Sequence, residues 1–174
     1  RVANPDHLKC HSAGIVQEYR KFVLNAVNLH HVPPPPIPYI ILILRQRTKE
    51  KNVGSVLANE DEVKALLQKG NMVDVHVADF SQMSFKDQLK LIRSTNIMIG
   101  VHGAGLMHIM FASAEAILVE IHPSSRHARD LRHAVRMSGK IYLPVRATHS
   151  AEGVCSRAYV WSPLAATKSV SCSR

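Results

Sequence analysis

The segment Gly100-Val101-His102-Gly103-Ala104-Gly105 sets three glycines and one imidazole where a buried apolar run ends. Small residues let a backbone approach a ligand closely, and the start of a helix offers unpaired N–H donors and a positive dipole end. Phosphate is the natural ligand for such a turn, although a tight turn can also need glycine for its backbone alone. One unit later, Glu120 ends the run Ile117-Leu118-Val119-Glu120-Ile121. A carboxylate there can accept two ribose hydroxyls; the bland alternatives are a solvated strand end or a partner for an arginine. Arg45 and Arg47 follow an earlier apolar run and suit bidentate phosphate or carboxylate contact, or a solvated loop shared with Lys49 and Lys51.

Other residues carry weaker signals. Arg126, Arg129, Arg132 and Arg136 recur at helical spacing, which fits a solvated helix face, with Ser124, Ser125 and Arg126 best placed for an anion. Eleven histidines invite a metal, but there is no HExxH, and the pairs His102/His108 and His127/His133 do not share a helix face. No metal is expected. His102 differs from the rest because it stands at the mouth of the glycine turn. There it can contact a diphosphate or help a leaving group, or be a buried, hydrogen-bonded histidine. The stretch Gly103 to His108 nearly matches the dinucleotide fingerprint, but His108 stands in place of the third glycine and the turn follows the third strand. The same HGAG resembles a hydrolase oxyanion loop, yet no Gly-x-Ser-x-Gly elbow exists.

These side chains need a scaffold, and the sequence supplies one. Tyr39 to Leu44 is a continuous apolar run, as a strand buried on both faces requires. Further strands are expected at 72–77, 97–101, 116–121 and 141–145. Helices are expected between them: from Asn59 to about Gly70, with Glu60, Asp61 and Glu62 in the first turn; from Ser84, a capping residue paired with Asp87, to Arg93; over Leu106 to Phe111; and from Arg126 to Ser138. Strands alternating with helices predict an α/β, Rossmann-like parallel sheet with helices on both faces over residues 39–146. Residues 1–38 hold a helix from Gly14 to His31 and a proline spacer, Pro33 to Pro36 with Pro38, that marks a boundary. Residues 147–174 show no period and read as an irregular tail.

The chain has 174 residues, which predicts one domain with an extra arm, and 46% apolar against 20% charged residues is globular composition. It opens on Arg1, so a piece of a longer protein is expected. No run approaches the ~20 apolar residues of a membrane span, and no signal peptide is visible. The net charge of +9 points to an anionic partner. Only 5% of residues are aromatic, too few for rows of base-stacking platforms, which disfavours nucleic acid. Cys10, Cys155 and Cys172 form no CxxC and do not decide the compartment.

Taken in order, Asp87-Gln88-Leu89, then Ile97 through His102-Gly103-Ala104-Gly105-Leu106, then Ile117 to Ile121, resemble glycosyltransferase family 61. Upstream, Arg45-Gln46-Arg47 and the pair Asn59-Glu60 fit the same pattern, and the resemblance covers roughly residues 18–146. It implies an inverting glycosyltransferase of the GT-B type that moves GlcNAc or xylose from a UDP-sugar to a protein or glycan hydroxyl. It implies no metal or other cofactor. This chain would be the donor-binding half, without the N-terminal acceptor domain and without the general base. The parent would work in the lumen of the Golgi or endoplasmic reticulum, anchored by an N-terminal helix. The resemblance places Gly103, Ala104 and Gly105 with Arg45 or Arg47 on the diphosphate, Glu120 on the ribose, and Asp79, Phe80 and Met83 beside the uracil. The chain departs from the pattern at Ala112-Ser113-Ala114-Glu115, where an aromatic or proline turn is usual, and after His149. A nicotinamide- or flavin-binding oxidoreductase domain and a non-enzymatic basic module for nucleic acid remain the rival readings.

Overall fold

The computed structural model describes residues 13–31, 39–44, 56–57, 59–69, 74–122, 129–149 and 158–160. Its centre is a five-stranded parallel sheet in the order β3-β1-β4-β5-β6, formed by β1 (Tyr39–Ile43), β3 (Asp74–Ala78), β4 (Ile97–Val101), β5 (Ile117–His122) and β6 (Ile141–Arg146). The register pairs Ile41 with His76 and Met98, and Gly100 with Glu120, which in turn faces Pro144. β1 lies inside the sheet, between β3 and β4, because its side chains tolerate no water: Ile41 and Leu42 are fully buried. Pro144 lies on the edge strand β6, where a missing N–H is tolerated.

Helices cover both faces, as the alternation of strand and helix patterns predicts. On one face, Val63 of α2 (Glu60–Gln68) packs with Ile40, Leu42, Ile99 and Ile121. On the other, Leu89 and Ile92 of α3 (Phe85–Arg93), Leu131 and Val135 of α4 (Arg129–Met137), and Leu24 of α1 (Ala13–Ala26) pack with Ile41, Met98 and Leu118. The N-terminal helix therefore braces this sheet. Ser84 caps α3, its Oγ accepting from Asp87 N at 3.2 Å and donating to Asp87 Oδ2 at 2.5 Å. Asn59 precedes α2 without a side-chain cap bond, and its Nδ2 donates instead to Glu62 Oε2 at 3.1 Å.

Three expectations change. The N-terminal helix, expected to reach His31, ends at Ala26. The helix after the glycine turn is a 3₁₀ helix that starts at Ala104, not Leu106, and runs to Phe111. The stretch after residue 147 is not wholly irregular. β7 (Thr148–His149) and β8 (Ala158–Val160) form a small second sheet with β2 (Val56–Leu57), in the order β2-β8-β7. Strands of two and three residues are too short to show a period. Among the described residues, no helix is long and apolar enough to cross a membrane.

At the amino ends of the strands, cations hold the turn that leaves the 3₁₀ helix. Arg20 Nη2 of α1 donates to Ala112 O at 2.9 Å, while Lys140 Nζ donates to Ser113 O and, at 3.1 Å, to Ala114 O. Burial, with Arg20 and Arg93 nearby, pulls the Lys140 ammonium down from 10.5 to about 8. An unfolded chain keeps its lysine protonated up to about pH 10.4, so between the two values it binds the extra proton. Folding stability should therefore rise by about 1–2 kcal/mol from pH 8 to pH 9.5. Urea denaturation across that window should show the rise in the wild type and its absence in Lys140→Met.

Gly100 explains how the 3₁₀ helix can fold back over β4. A Cβ there would meet Leu106 Cδ2 at 2.8 Å and Ile43 Cβ and O at 3.4 Å. Gly100→Ala should cost about 1–3 kcal/mol by overpacking, seen as a lower urea midpoint at unchanged slope.

Candidate functional site

The strand order reverses beside β1: the chain moves from β1 out to β3, then crosses back to β4. In open parallel sheets, ligands bind at such a switch point, beyond the carboxyl ends of the strands. The crevice here lies between the ends of β1 and β4. β4 supplies His102, Gly103, Ala104 and Gly105 to it. Arg45 and Arg47 follow β1 in sequence and lie outside the described residues, as do Ser124, Ser125 and Arg126.

His102 is fixed from both backbone and side chain. Its N–H donates to Ile121 O at 3.0 Å, extending the ladder between β4 and β5. Its Nδ1 lies 2.5 Å from Glu120 Oε1. Glu120 has no exposed surface, whereas the His102 side chain is 38% exposed. The carboxylate is engaged on its other oxygen too: Tyr142 Oη donates to Oε2 at 2.5 Å, and His122 Nε2 stands 3.1 Å from the same oxygen and 2.7 Å from Tyr142 Oη. The rings of His102 and His122 are nearly parallel, with centroids 6.0 Å apart. Burial and the hydrogen bond to Glu120 push the Tyr142 phenol well above its ordinary range, so it stays a proton donor.

Strand geometry makes this cluster. Glu120 and His122 are two residues apart on β5 and share a face. Tyr142 pairs in register with Leu118 on β6, so it reaches Glu120 diagonally. His102 follows β4 just after Val101, which pairs with Ile121. Sequence reading found His102 and Glu120 but missed His122 and Tyr142. The signal was present: alternation puts His122 on the face of Glu120, and the parallel register of the fifth strand puts Tyr142 there as well.

The ligand atoms of His102, Glu120 and His122 all lie within 4.8 Å of one another, the spread of a set that could hold a divalent ion. A magnitude separates ion from proton. Ligands about 2.0–2.2 Å from a tetrahedral ion stand about 3.3 Å from each other. The 2.5 Å between Nδ1 and Oε1 is instead the separation of atoms that share a hydrogen bond.

A second group borders the glycine turn. Asp79 precedes a 3₁₀ turn, Phe80–Gln82, and its Oδ1 accepts from Ser81 N at 2.9 Å. Gln88 Nε2 of α3 donates to Phe80 O at 2.9 Å and to Met83 O at 3.0 Å, which fixes the loop. Phe80 reaches Gly105, where an added Cβ would stand 3.6 Å from its ring. His108 lies edge-on to Phe80, and its Nδ1 is 2.9 Å from Gly105 O. A carbonyl can only accept, so Nδ1 carries the proton; burial lowers the pKa of this imidazole and keeps it neutral. Asp79, Phe80 and Met83 are thus brought to the rim of the turn. Asn59 and Glu60 sit at the start of α2, with Asn59 Nδ2 on Glu62 Oε2 and Glu60 3.6 Å from Lys64.

Comparison with known proteins agrees with this architecture. The glycosyltransferase 61 family matches residues 1–119. An EGF domain-specific O-linked N-acetylglucosamine transferase of Drosophila melanogaster is 33% identical over 113 residues, 65% of this chain and 21% of that protein. The protein of the same name from Mus musculus is 29% identical over 115 residues, with the same coverage. That from Xenopus laevis is 27% identical over 136 residues, 77% of this chain and 25% of its own length. The aligned part of the chain thus spans only a fifth to a quarter of these curated relatives. With the motifs in order on a Rossmann-like sheet and most of its length matched, the chain belongs to the glycosyltransferase 61 family.

Proposed function

We propose that this chain carries the donor-binding part of an inverting, GT-B type transferase that moves a sugar, GlcNAc or xylose, from a UDP-sugar to a hydroxyl of a protein or glycan. The observation that carries this reading is the glycine turn at the topological switch point, with the 38%-exposed His102 held at its mouth by a buried carboxylate. The names of the relatives favour GlcNAc and a protein acceptor. Acceptor binding and the general base are assigned to sequence beyond this chain, since the relatives are several times longer than the part it matches. The parent is placed in the lumen of the Golgi or endoplasmic reticulum, anchored by an N-terminal helix.

In the transfer, the acceptor oxygen attacks the anomeric carbon, its proton passes to a base, and the bond to the diphosphate breaks with its electron pair on UDP. Negative charge grows on the diphosphate, and preorganised donors stabilise it more in the transition state than in the ground state. The N–H groups of Gly103, Ala104 and Gly105 open the 3₁₀ helix and supply such donors, with Arg45 or Arg47 adding positive charge. Asp79, Phe80 and Met83 form the uracil side. Contact with a hydroxyl of the donor, of its ribose or of its sugar, runs through His102 rather than directly from Glu120, whose carboxylate is fully buried and engaged on both oxygens. No metal is required, because the donors and arginines supply the counter-charge.

Saturation-transfer NMR on this chain with UDP, UDP-GlcNAc, UDP-xylose and NADH in separate samples tests the reading. Signal is expected on the uridine protons, unchanged by EDTA and lost in Gly103→Val while the far-UV circular dichroism stays that of the wild type. Signal on NADH alone would support an oxidoreductase domain, and uridine binding retained in Gly103→Val would remove the glycine turn from the site.

A further inference from the structure

The proton balance around Glu120 assigns His102 a narrower role than contact with a diphosphate. Tyr142 has one proton, and it goes to Glu120 Oε2. His122 Nε2, 2.7 Å from the Tyr142 oxygen and 3.1 Å from Oε2, must then be the donor in that contact. Oε2 thus accepts from Tyr142, with the His122 N–H turned to the Tyr142 oxygen 2.7 Å away, and Oε1 is left facing His102 Nδ1 at 2.5 Å. A carboxylate so surrounded is an acceptor, so Nδ1 carries the hydrogen. In the neutral ring, Nε2 is left as a lone pair, on a side chain that is 38% exposed. A lone pair repels a phosphate oxygen and accepts from an O–H.

We propose that His102 Nε2 accepts a hydrogen bond from an alcohol hydroxyl of the bound sugar nucleotide, and that Tyr142 and His122 are positioning residues that hold Glu120, and through it the His102 tautomer, in the state this needs. The inference rests on the UDP-sugar reading for its ligand but on this chain's own hydrogen bonds for its tautomer. The hydroxyl belongs to the ribose or to the transferred sugar, and both present the same donor. The groups around it are Glu120 and His122 of β5 and Tyr142 of β6, with Arg132 of α4 in electrostatic reach of Tyr142.

The test begins on the unliganded protein. Long-range ¹H–¹⁵N correlation at a pH where the rings are neutral should show His102 as the Nδ1–H tautomer; an Nε2–H tautomer overturns the proposal without any ligand. In Glu120→Gln, Tyr142 and His122 donate to the amide oxygen, which turns the NH₂ toward His102 Nδ1. His102 should then switch to Nε2–H, and the added variant Tyr142→Phe should weaken the switch. His122→Gln keeps an N–H donor and should preserve the wild-type tautomer, whereas His122→Phe fills the space without a donor and should weaken the Nδ1–H preference, which a merely space-filling role would not predict.

Binding then locates the hydroxyl. Glu120→Gln should weaken UDP by about tenfold, the effect of one hydrogen bond replaced by an unpaired donor, but leave 2′,3′-dideoxyuridine diphosphate unchanged when the partner is the ribose. When the partner is the transferred sugar, UDP-GlcNAc weakens and UDP does not. Equal affinities of wild type and variant for all three nucleotides, with the tautomer switched, overturn the hydroxyl assignment. Failure of the wild type to bind any uridine nucleotide counts against the UDP-sugar reading and leaves the tautomer result standing.

Discussion

A carboxylate with no exposed surface organises the carboxyl end of this sheet. Burying Glu120 is tolerable only because hydrogen-bond donors surround it: an isolated ionised carboxylate in an apolar interior is prohibitively costly. The partners come from three places, His102 after β4, His122 on β5 and Tyr142 on β6. The requirement to satisfy one charge thus fixes the lateral order and register of three strands at the point where a ligand would enter. Loss of one partner would leave a buried charge short of a donor, which makes the cluster demanding as well as stabilising.

The amino end of the same sheet solves the opposite problem. There the buried charges are positive and their partners are carbonyl oxygens: Lys140 and Arg20 donate to the turn of Ala112, Ser113 and Ala114. That turn ends the 3₁₀ helix that begins at the glycines. One short helix therefore has its first residues at the candidate site and its last residues held by cations near the other end. Gly100 lets it lie against β4, since Leu106 occupies the place of a Cβ. Positions of Gly103 to Gly105 are set by packing and capping along the whole helix, not by the loop's own flexibility.

Much of the fold was legible in the sequence, for definite physical reasons. The run from Tyr39 to Leu44 announced a strand buried on both faces, and Ser84 with Asp87 announced a helix start; both patterns come from interactions within a few residues. The short strands at 148–149 and 158–160 were not legible, because strands of two and three residues show no period and β8 is held by β2, far away in the sequence. The same division holds at the site. His102 and the glycines stood out as a local motif, and Glu120 as an acid ending an apolar strand. His122 and Tyr142 looked like ordinary strand residues, and only the register between β5 and β6 brings them to Glu120. The 3₁₀ character of the helix after the turn was hidden too, since 3₁₀ and α segments share apolar content and differ in a spacing that eight residues barely sample.

Placing backbone donors and an imidazole acceptor side by side divides the recognition of a sugar nucleotide by chemistry. Diphosphate oxygens need donors, and the first N–H groups of a helix provide them without a side chain to order. Hydroxyls can be bound by donors or acceptors, but only an acceptor distinguishes them from phosphate oxygens. An N–H at His102 Nε2 would attract both; a lone pair there favours the hydroxyl. The half-buried Tyr142 and the buried His122 then serve selectivity more than stability. They keep Glu120 an acceptor, so that the exposed nitrogen of His102 is an acceptor as well.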